Sequence, residues 1–472
     1  MTDKQIPIAI LGAGPAGLGA ALCLARRRQF DVTVFEQNSM VGGNAGSFDL
    51  EGLRVDYGSH RLHPACSSRV LSDIRSLVGD DLLTRPRHGR IRLRGRWVHF
   101  PLKPLDLAIS LPPSFAIGAI RDAVFKKRSH QGPETFATEL EKGLGKTICR
   151  DFYFPYARKI WGVSPEDLDA EQARRRVSAN SLTKIIRKVM TAVPGLKSPT
   201  SGKFFYPKKG FGQISDSYYD AAVQTGAKVK LGCRVSKIEV GADGVESVSI
   251  ECDHSSEKLP SQFVLSTIPL PNLVQAIHPH APAEVISSIS ELKYRAMILI
   301  YLVLSTDQFT QFDSHYFPGS EVSITRLSEP KNYSLKDLPG TTVLCAELPC
   351  SLEDQVWSAT DDELQSLVEE DLSRVGIPLQ SPVRKVVTRR LPNAYPIYTQ
   401  GYRRHFDRLD GWVGNIRGLV SLGRQGLFAH DNTHHTLAMA YAASECITPN
   451  GLFDNSQWKD CRLQFESHVV ED

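Results

Sequence analysis

The segment Gly12-Ala13-Gly14-Pro15-Ala16-Gly17, set between an apolar run and an Ala- and Leu-rich stretch, constrains this chain more than any other feature. Residues 6–11 (Ile-Pro-Ile-Ala-Ile-Leu) read as a buried strand. Residues 15–28 carry Ala and Leu at helical spacing and end in Arg26-Arg27-Arg28, which suits a helix C-terminus. Asp31 to Glu36 reads as the next parallel strand, so the segment is one βαβ unit. Gly12 permits the tight strand-to-helix turn. Gly14 removes the Cβ that would hold the backbone away from a pyrophosphate, and Gly17 lets the helix pack closely on the strand. The N-terminus of that helix offers N–H groups and a positive dipole end to the phosphate. A glycine-rich turn alone often only closes a loop. Here a strand precedes it, a helix follows, and Glu36 stands at the spacing of a carboxylate that takes ribose hydroxyls, which predicts a dinucleotide site. Pro15, Ala16 and Gln37 belong to the same candidate site.

With 472 residues the chain is too long for one core, so two or three sub-structures are expected around this unit. A net charge of +4 gives no reason to expect a nucleic-acid partner. The residues before the first apolar run lack the pattern of a secretory signal, so none is expected, and no run of about eighteen apolar residues predicts a spanning helix. The nine Cys are scattered, without C-x-x-C or zinc spacing, so reduced thiols and a cytoplasmic setting are expected. Residues 89–101 alternate by twos and turn at Gly95, a predicted hairpin. Residues 105–200 predict helices; strands are predicted at 228–239, 246–252, 261–267, 297–304 and 342–347. Near the C-terminus, Gly418 to Arg424 and then an Ala-rich stretch to about Ile447 repeat the strand–glycine–helix pattern.

Just past Glu36 comes Val41-Gly42-Gly43-Asn44-Ala45-Gly46-Ser47-Phe48. A second Gly-Gly here resembles the extension found in the amine-oxidase-like FAD superfamily, where it lies along the cofactor. Gly423-Arg424 followed by a helix resembles that superfamily's flavin-side segment. The resemblance implies FAD, with Gly42, Gly43, Asn44, Ala45, Gly58, Ser59, His60, Val235, Gly423 and Arg424 joining the cofactor site. The expected fold is α/β. A discontinuous Rossmann-like FAD-binding domain (1–88, 204–290 and 385–472) would carry an inserted, mainly helical substrate-side domain (89–203) and an antiparallel β-sheet substrate domain (291–384).

Within that superfamily the chain resembles the UDP-galactopyranose mutases. Gly58-Ser59-His60-Arg61-Leu62-His63 is similar to their Gly-Pro-His-x-x-His loop beside the flavin. Tyr156 to Gly162 is similar to Tyr-Thr-x-Lys-Gln-Trp-Gly, whose Trp lies near the uracil-binding end. Arg174-Arg175-Arg176 falls where the family has a mobile-loop Arg that closes on the diphosphate. Tyr206 to Phe211, Leu292 to Arg295, Thr325 to Lys331 and Ala394 to Ile397 resemble four further motifs, the second of which supplies a diphosphate-holding Arg. The resemblance implies a nucleotide-sugar substrate bound by Trp161, Arg174, Arg175, Tyr206, Arg295, Arg326 and Tyr395. It also implies a redox-neutral pyranose–furanose interconversion in which reduced flavin N5 attacks the anomeric carbon. One stretch departs from the family: where the mutases carry Tyr-Lys-Tyr-Tyr-Asp, this chain has Gln425 to His435, so His430 and Asp431 occupy the tyrosine region.

The candidate catalytic residues are therefore His60, His63, Arg175, Arg295, His430 and Asp431. A His near flavin N5 can hold or move a proton near neutral pH, or it can cap backbone groups. Arg295 beside an apolar strand wants an anion, which a phosphate or a nearby Glu would supply. His430, His434, His435 and Asp431 invite a metal, but no carboxylate or Cys spacing completes a ligand set, so none is expected. Arg90, Arg92, Arg94 and Arg96 form a solvated strand face, with contact to an anionic membrane as the alternative. An FAD oxidoreductase of the amine-oxidase or protoporphyrinogen-oxidase type, with hydride passing from substrate to N5, stays open beside the mutase. So do a non-catalytic flavin-bound scaffold and a homodimer.

Overall fold

The computed structural model describes residues 5–103, 106, 109–124, 132–176, 202–252 and 255–470. The last quarter of the expected helical stretch, 177–200, lies outside the described residues. The strand Ile6–Leu11 (β1) has almost no polar side chain to offer water, and its last four residues are buried. It pairs in parallel with Phe30–Phe35 (β2), from Ile6↔Phe30 to Leu11↔Phe35, and the helix Pro15–Ala25 (α1) connects them. The sheet has five strands, all parallel, in the order Leu419–Ser421, Phe263–Ser266, β1, β2, Lys228–Lys230. Ile8 and Ile10 pack on one face with Leu18, Ile214 and Leu437; Ala9 and Leu11 pack on the other with Leu273 and Leu409. Burial on both faces explains why β1 reads as a continuous apolar run rather than an alternating one. The expected late strand and helix take their places at Leu419–Ser421 and Thr433–Glu445.

A seven-stranded sheet forms the other wall. Its order is Val383–Ile397, Lys293–Leu304, Thr342–Cys350, Arg326–Ser328, Ser314–Tyr316, Gly89–Leu93, Arg96–Phe100. In the strand Lys293–Leu304, Ala296, Ile298, Ile300 and Leu302 pack toward Leu364 and Val368 of the helix Asp361–Arg374. Met297, Leu299, Tyr301 and Val303 pack toward Phe48 and Val55 of the hairpin Ser47–Asp56. Two expected boundaries shift as a result. The hairpin at 89–100 joins this sheet through the parallel pair Ser314↔Gly89 instead of opening the helical segment. Residues 385–397 belong here too, because Val383–Ile397 runs antiparallel to Lys293–Leu304 along its length. With those changes we propose the three-part division of the chain.

Of the hairpin's four arginines, Arg96 is exposed as expected, whereas the other three are engaged by neighbouring side chains. Arg90 stacks 4.0 Å from the Trp97 ring centre and 4.6 Å from Phe312, Arg92 lies 5.3 Å from Trp97, and Arg94 pairs with Asp151 at 3.2 Å. The described helices between 105 and 176 include Pro113–Val124, Phe136–Leu144, Phe154–Trp161 and Ala170–Arg176. No helix among the described residues is long and apolar enough to cross a membrane. The expectation of reduced thiols is corrected at one place: Cys233 and Cys252 face each other across the antiparallel pair Cys233–Gly241/Gly244–Cys252 and are joined as a disulfide. Residues nineteen apart in sequence meet there because the hairpin folds them into register.

Candidate functional site

The turn after β1 is built by exclusion. Gly12 has φ +96°, and a Cβ on Gly17 would lie 1.9 Å from the Gly12 carbonyl oxygen. A Cβ on Gly14 would meet no protein atom within 4 Å. Open space thus lies in front of Gly14, at the N-terminus of α1. Glu36 is buried beside it: one carboxylate oxygen accepts from the Ala13 N–H at 2.9 Å, and the other accepts from the Asn38 N–H and Nδ2 at 3.0 and 2.6 Å. Gln37 is exposed just beyond. Val235 sits at a bulge two residues past Cys233, whose N–H donates to the Glu36 carbonyl at 2.8 Å.

Two further loops converge on the same space. The Gly42 N–H donates to the Ala13 carbonyl at 2.8 Å, and a Cβ on Gly43 would come within 3.5 Å of the Gly14 Cα. A Cβ on Gly423 would come within 2.9 Å of the Ala16 Cβ. Asn44 and Gln425 then donate from their side chains to the Asn393 carbonyl at 3.3 and 2.7 Å, which extends the cleft toward Tyr395. Ala45 is buried beneath its loop. Open space for a phosphate, a buried carboxylate for the ribose and three glycine loops around them fit FAD.

The loop after Gly58 is fixed by carboxylate and carbonyl groups. The Ser59 N–H donates to Glu347 Oε1 at 2.8 Å, and Arg326 grips the same carboxylate through Nε and Nη2, both at 2.8 Å. Arg326 is thus spent on Glu347 and is not an open anion site. His60 Nε2 lies 2.8 Å from the Asn44 carbonyl and 2.9 Å from the Tyr57 carbonyl, and its ring stacks on Phe211. Burial pushes its pKa below the ordinary histidine value. Its ring nitrogen therefore ties the Asn44 loop down. His63 Nδ1 accepts the Ala65 N–H at 3.1 Å, the backbone-capping alternative.

Past Asn393 the cleft turns cationic. Two guanidinium groups approach the Tyr395 ring, Arg176 at 5.4 Å and Arg424 at 5.3 Å, and Arg176 also faces Trp161 at 5.9 Å. Arg424 donates to the carbonyls of Ala394 and Asp431 at 2.9 and 3.1 Å. No ion pair recorded among the described residues neutralises either arginine, and burial lowers the pKa of Arg424. His430 packs against Trp161 and Tyr398, and its Nε2 meets the side-chain amide of Gln172, with contacts of 2.9 and 3.1 Å. Burial first, then Arg176 and Arg424, hold His430 well below its ordinary pKa, so the ring is neutral. Trp161 Nε1 and His430 Nδ1 are buried and have no hydrogen-bond partner. Lys159, two residues before Trp161 on the same helix, donates to the carbonyls of Phe317 and Ile324 at 2.8 and 3.2 Å, and burial lowers its pKa to about 8.

Several expected substrate residues sit elsewhere. Arg174 is half-exposed and paired with Glu134 at 2.7 Å. Arg175 is tied to Glu171 at 2.9 Å and to the Phe465 carbonyl at 2.9 Å, facing away from Trp161. Tyr206 is fully buried, and its hydroxyl donates to Asp56 Oδ2 at 2.6 Å. Arg295 is spent on Ser351 Oγ at 2.6 Å, against the turn at Gly162 that ends the Trp161 helix. Asp431 turns away from His430 toward His435 and His468. Gln172 and Glu347 were not singled out from sequence, and Arg176 only as the last of three consecutive arginines. Gln172 and Arg176 are one helical turn apart, as are Glu171 and Arg175, and that phase was the available signal.

Protoporphyrinogen oxidase 2, chloroplastic/mitochondrial, of Arabidopsis thaliana is 21% identical over 484 residues, spanning 88% of this chain and 91% of its own. The crystal structure of reduced UDP-galactopyranose mutase matches with a TM-score of 0.81 at 19% identity, covering 99% of this chain and 100% of that one. Cyclohexylamine oxidase from Brevibacterium oxydans matches with a TM-score of 0.67 at 13% identity, covering 97% and 100%. At these identities the structural likenesses speak to the fold. The family model for flavin containing amine oxidoreductases matches residues 15–428, so this chain belongs to that family and is an FAD-dependent enzyme.

Proposed function

We propose that the enzyme binds a small molecule carrying a diphosphate, of the nucleotide-sugar type, and interconverts its pyranose and furanose forms without net oxidation. The observation that carries this reading is the pair Arg176 and Arg424, both close to the Tyr395 ring, two guanidinium groups with no ion pair to a carboxylate among the described residues. A half-buried cation without a counter-ion is unfavourable, and a diphosphate would offset that cost with charge-assisted hydrogen bonds. Trp161 offers an indole face and an unpartnered N–H to a base or sugar. Bound and reduced, FAD would supply a nucleophilic nitrogen for the anomeric carbon. The chain's part is to hold the diphosphate with Arg176 and Arg424, to keep His430 neutral beside the sugar, and to fix the Asn44 loop through His60.

The test is turnover of UDP-galactopyranose and related nucleotide sugars with the flavin held reduced by dithionite or held oxidised. Turnover in the reduced state alone is expected; equal rates in both states would reject the reading. A hydride-transferring oxidoreductase is the second reading. It is favoured by His430, a buried neutral imidazole with an unpartnered Nδ1 that can accept a substrate proton. Anaerobic bleaching of the flavin by an amine, porphyrinogen or polyene substrate would establish it.

A further inference from the structure

We propose that Asp431, His435 and His468 bind one divalent metal ion of the zinc type, which clasps the C-terminal tail onto the start of the helix Thr433–Glu445. His468 completes in space a ligand set that the sequence spacing around Asp431 lacks. Asp431 Oδ1 lies 3.3 Å from His435 Nδ1 and 3.1 Å from His468 Nδ1. Donors around a tetrahedral zinc with bonds of about 2.0–2.1 Å are roughly 3.3–3.5 Å apart, so the spacing suits an ion, which the two imidazoles would share once one ring turns out of their stack. Asp431 is only 4% exposed, and its second oxygen, Oδ2, is buried with no partner.

The histidines have the right chemistry. His435 Nδ1 directs its lone pair at the Asn432 N–H, a long helix-cap contact of 3.3 Å that an ion would replace. A nitrogen lone pair facing a carboxylate oxygen is repulsive unless a proton or a metal cation lies between them. The rings of His435 and His468 stack, with centroids 4.2 Å apart. Arg175, the cation that reaches the tail from the helix Ala170–Arg176, is already paired with Glu171. A hollow of about 40 Å³ bordered by Glu171, Arg175, Tyr398 and Glu466 reaches Asp431.

The tail is otherwise held by a few contacts, among them the Val470 N–H on the Arg175 carbonyl at 2.8 Å. His430 and Asp431 face opposite ways, so the ion would sit behind the substrate face. It would fix the Asp431 carbonyl that holds Arg424. The clasp is thus a positioning device and does not depend on which reaction the flavin performs.

The experiment uses untagged, FAD-loaded protein stripped with EDTA and equilibrated with Zn²⁺ up to about 100 μM free ion. Metal analysis is expected to give one ion per chain, and the thermal midpoint should rise with Zn²⁺. His468→Ala, on the tail, should lower Zn²⁺ affinity at least about tenfold and abolish the thermal shift while the flavin spectrum stays unchanged. Asp431→Asn should do the same if it folds. No stoichiometric uptake by the wild-type protein, or uptake unchanged in His468→Ala, would overturn the proposal.

Discussion

Gly14 and Gly17 stand three residues apart and are glycine for opposite reasons. A methyl at Gly17 would collide with the Gly12 carbonyl, whereas one at Gly14 would enter space that no protein atom occupies. Gly14→Ala is therefore expected to fold with an unchanged thermal midpoint but to retain FAD poorly. Gly17→Ala should lose about 3 kcal/mol or more of stability, measured by denaturant unfolding. Arg175 and Arg176 divide in the same way. Arg176→Ala should weaken binding of a nucleotide sugar roughly 10–100-fold, the worth of a charge-assisted hydrogen bond or two, with the melting temperature unmoved. Arg175→Ala should lower the melting temperature and leave the binding constant within about twofold, because its partners are Glu171 and the tail. The glycine roles were legible in the sequence because backbone geometry alone fixes them. The choice among three consecutive arginines was not, since it depends on how the helix Ala170–Arg176 is rotated against Trp161 and the C-terminal tail.

Among the elements, Glu347 couples two that are remote in sequence. From the strand Thr342–Cys350 it holds both Arg326 and the Ser59 amide, so the sheet and the cofactor loop share one carboxylate. Glu347→Ala would leave a buried guanidinium unpaired and is expected to cost about 3–5 kcal/mol in urea unfolding. Arg326→Ala in the same background should recover part of that loss; full additivity of the two changes would refute the coupling. Strand positions were largely legible: 297–304 and 342–347 were expected and lie within Lys293–Leu304 and Thr342–Cys350. Their sheet partners were not, because residues 89–100 and 383–397 join by pairings that alternation along one strand cannot encode.

For the whole molecule, acid is the informative stress. His315, against Trp97 and Phe312, is almost fully buried, and burial together with Arg90 lowers its pKa from 6.5 to about 3. Between those values the unfolded chain binds a proton that the native chain refuses. Native stability is therefore full above pH 6.5 and falls as pH drops toward 3. From pH 6.5 to 5 the loss should be about 2 kcal/mol. Denaturant midpoints at pH 7 and 5 should converge in His315→Gln by about that amount; an unchanged gap would show that His315 is not the source.

The five parallel strands of the nucleotide sheet also set an order of events on the ribosome. β1 and β2 emerge first, yet the strand at the opposite edge is Leu419–Ser421, and the helix that covers Gly19 of α1 through Leu437 and Ala440 begins at Thr433. At about 5–20 residues per second, roughly twenty seconds or more of synthesis separate the first strand from its last neighbours. Through that interval the nascent chain carries an unshielded hydrophobic flank. A holding chaperone is expected to associate with it until the C-terminus clears the exit tunnel. Moving Leu419–Glu445 nearer the start by circular permutation should shorten that association.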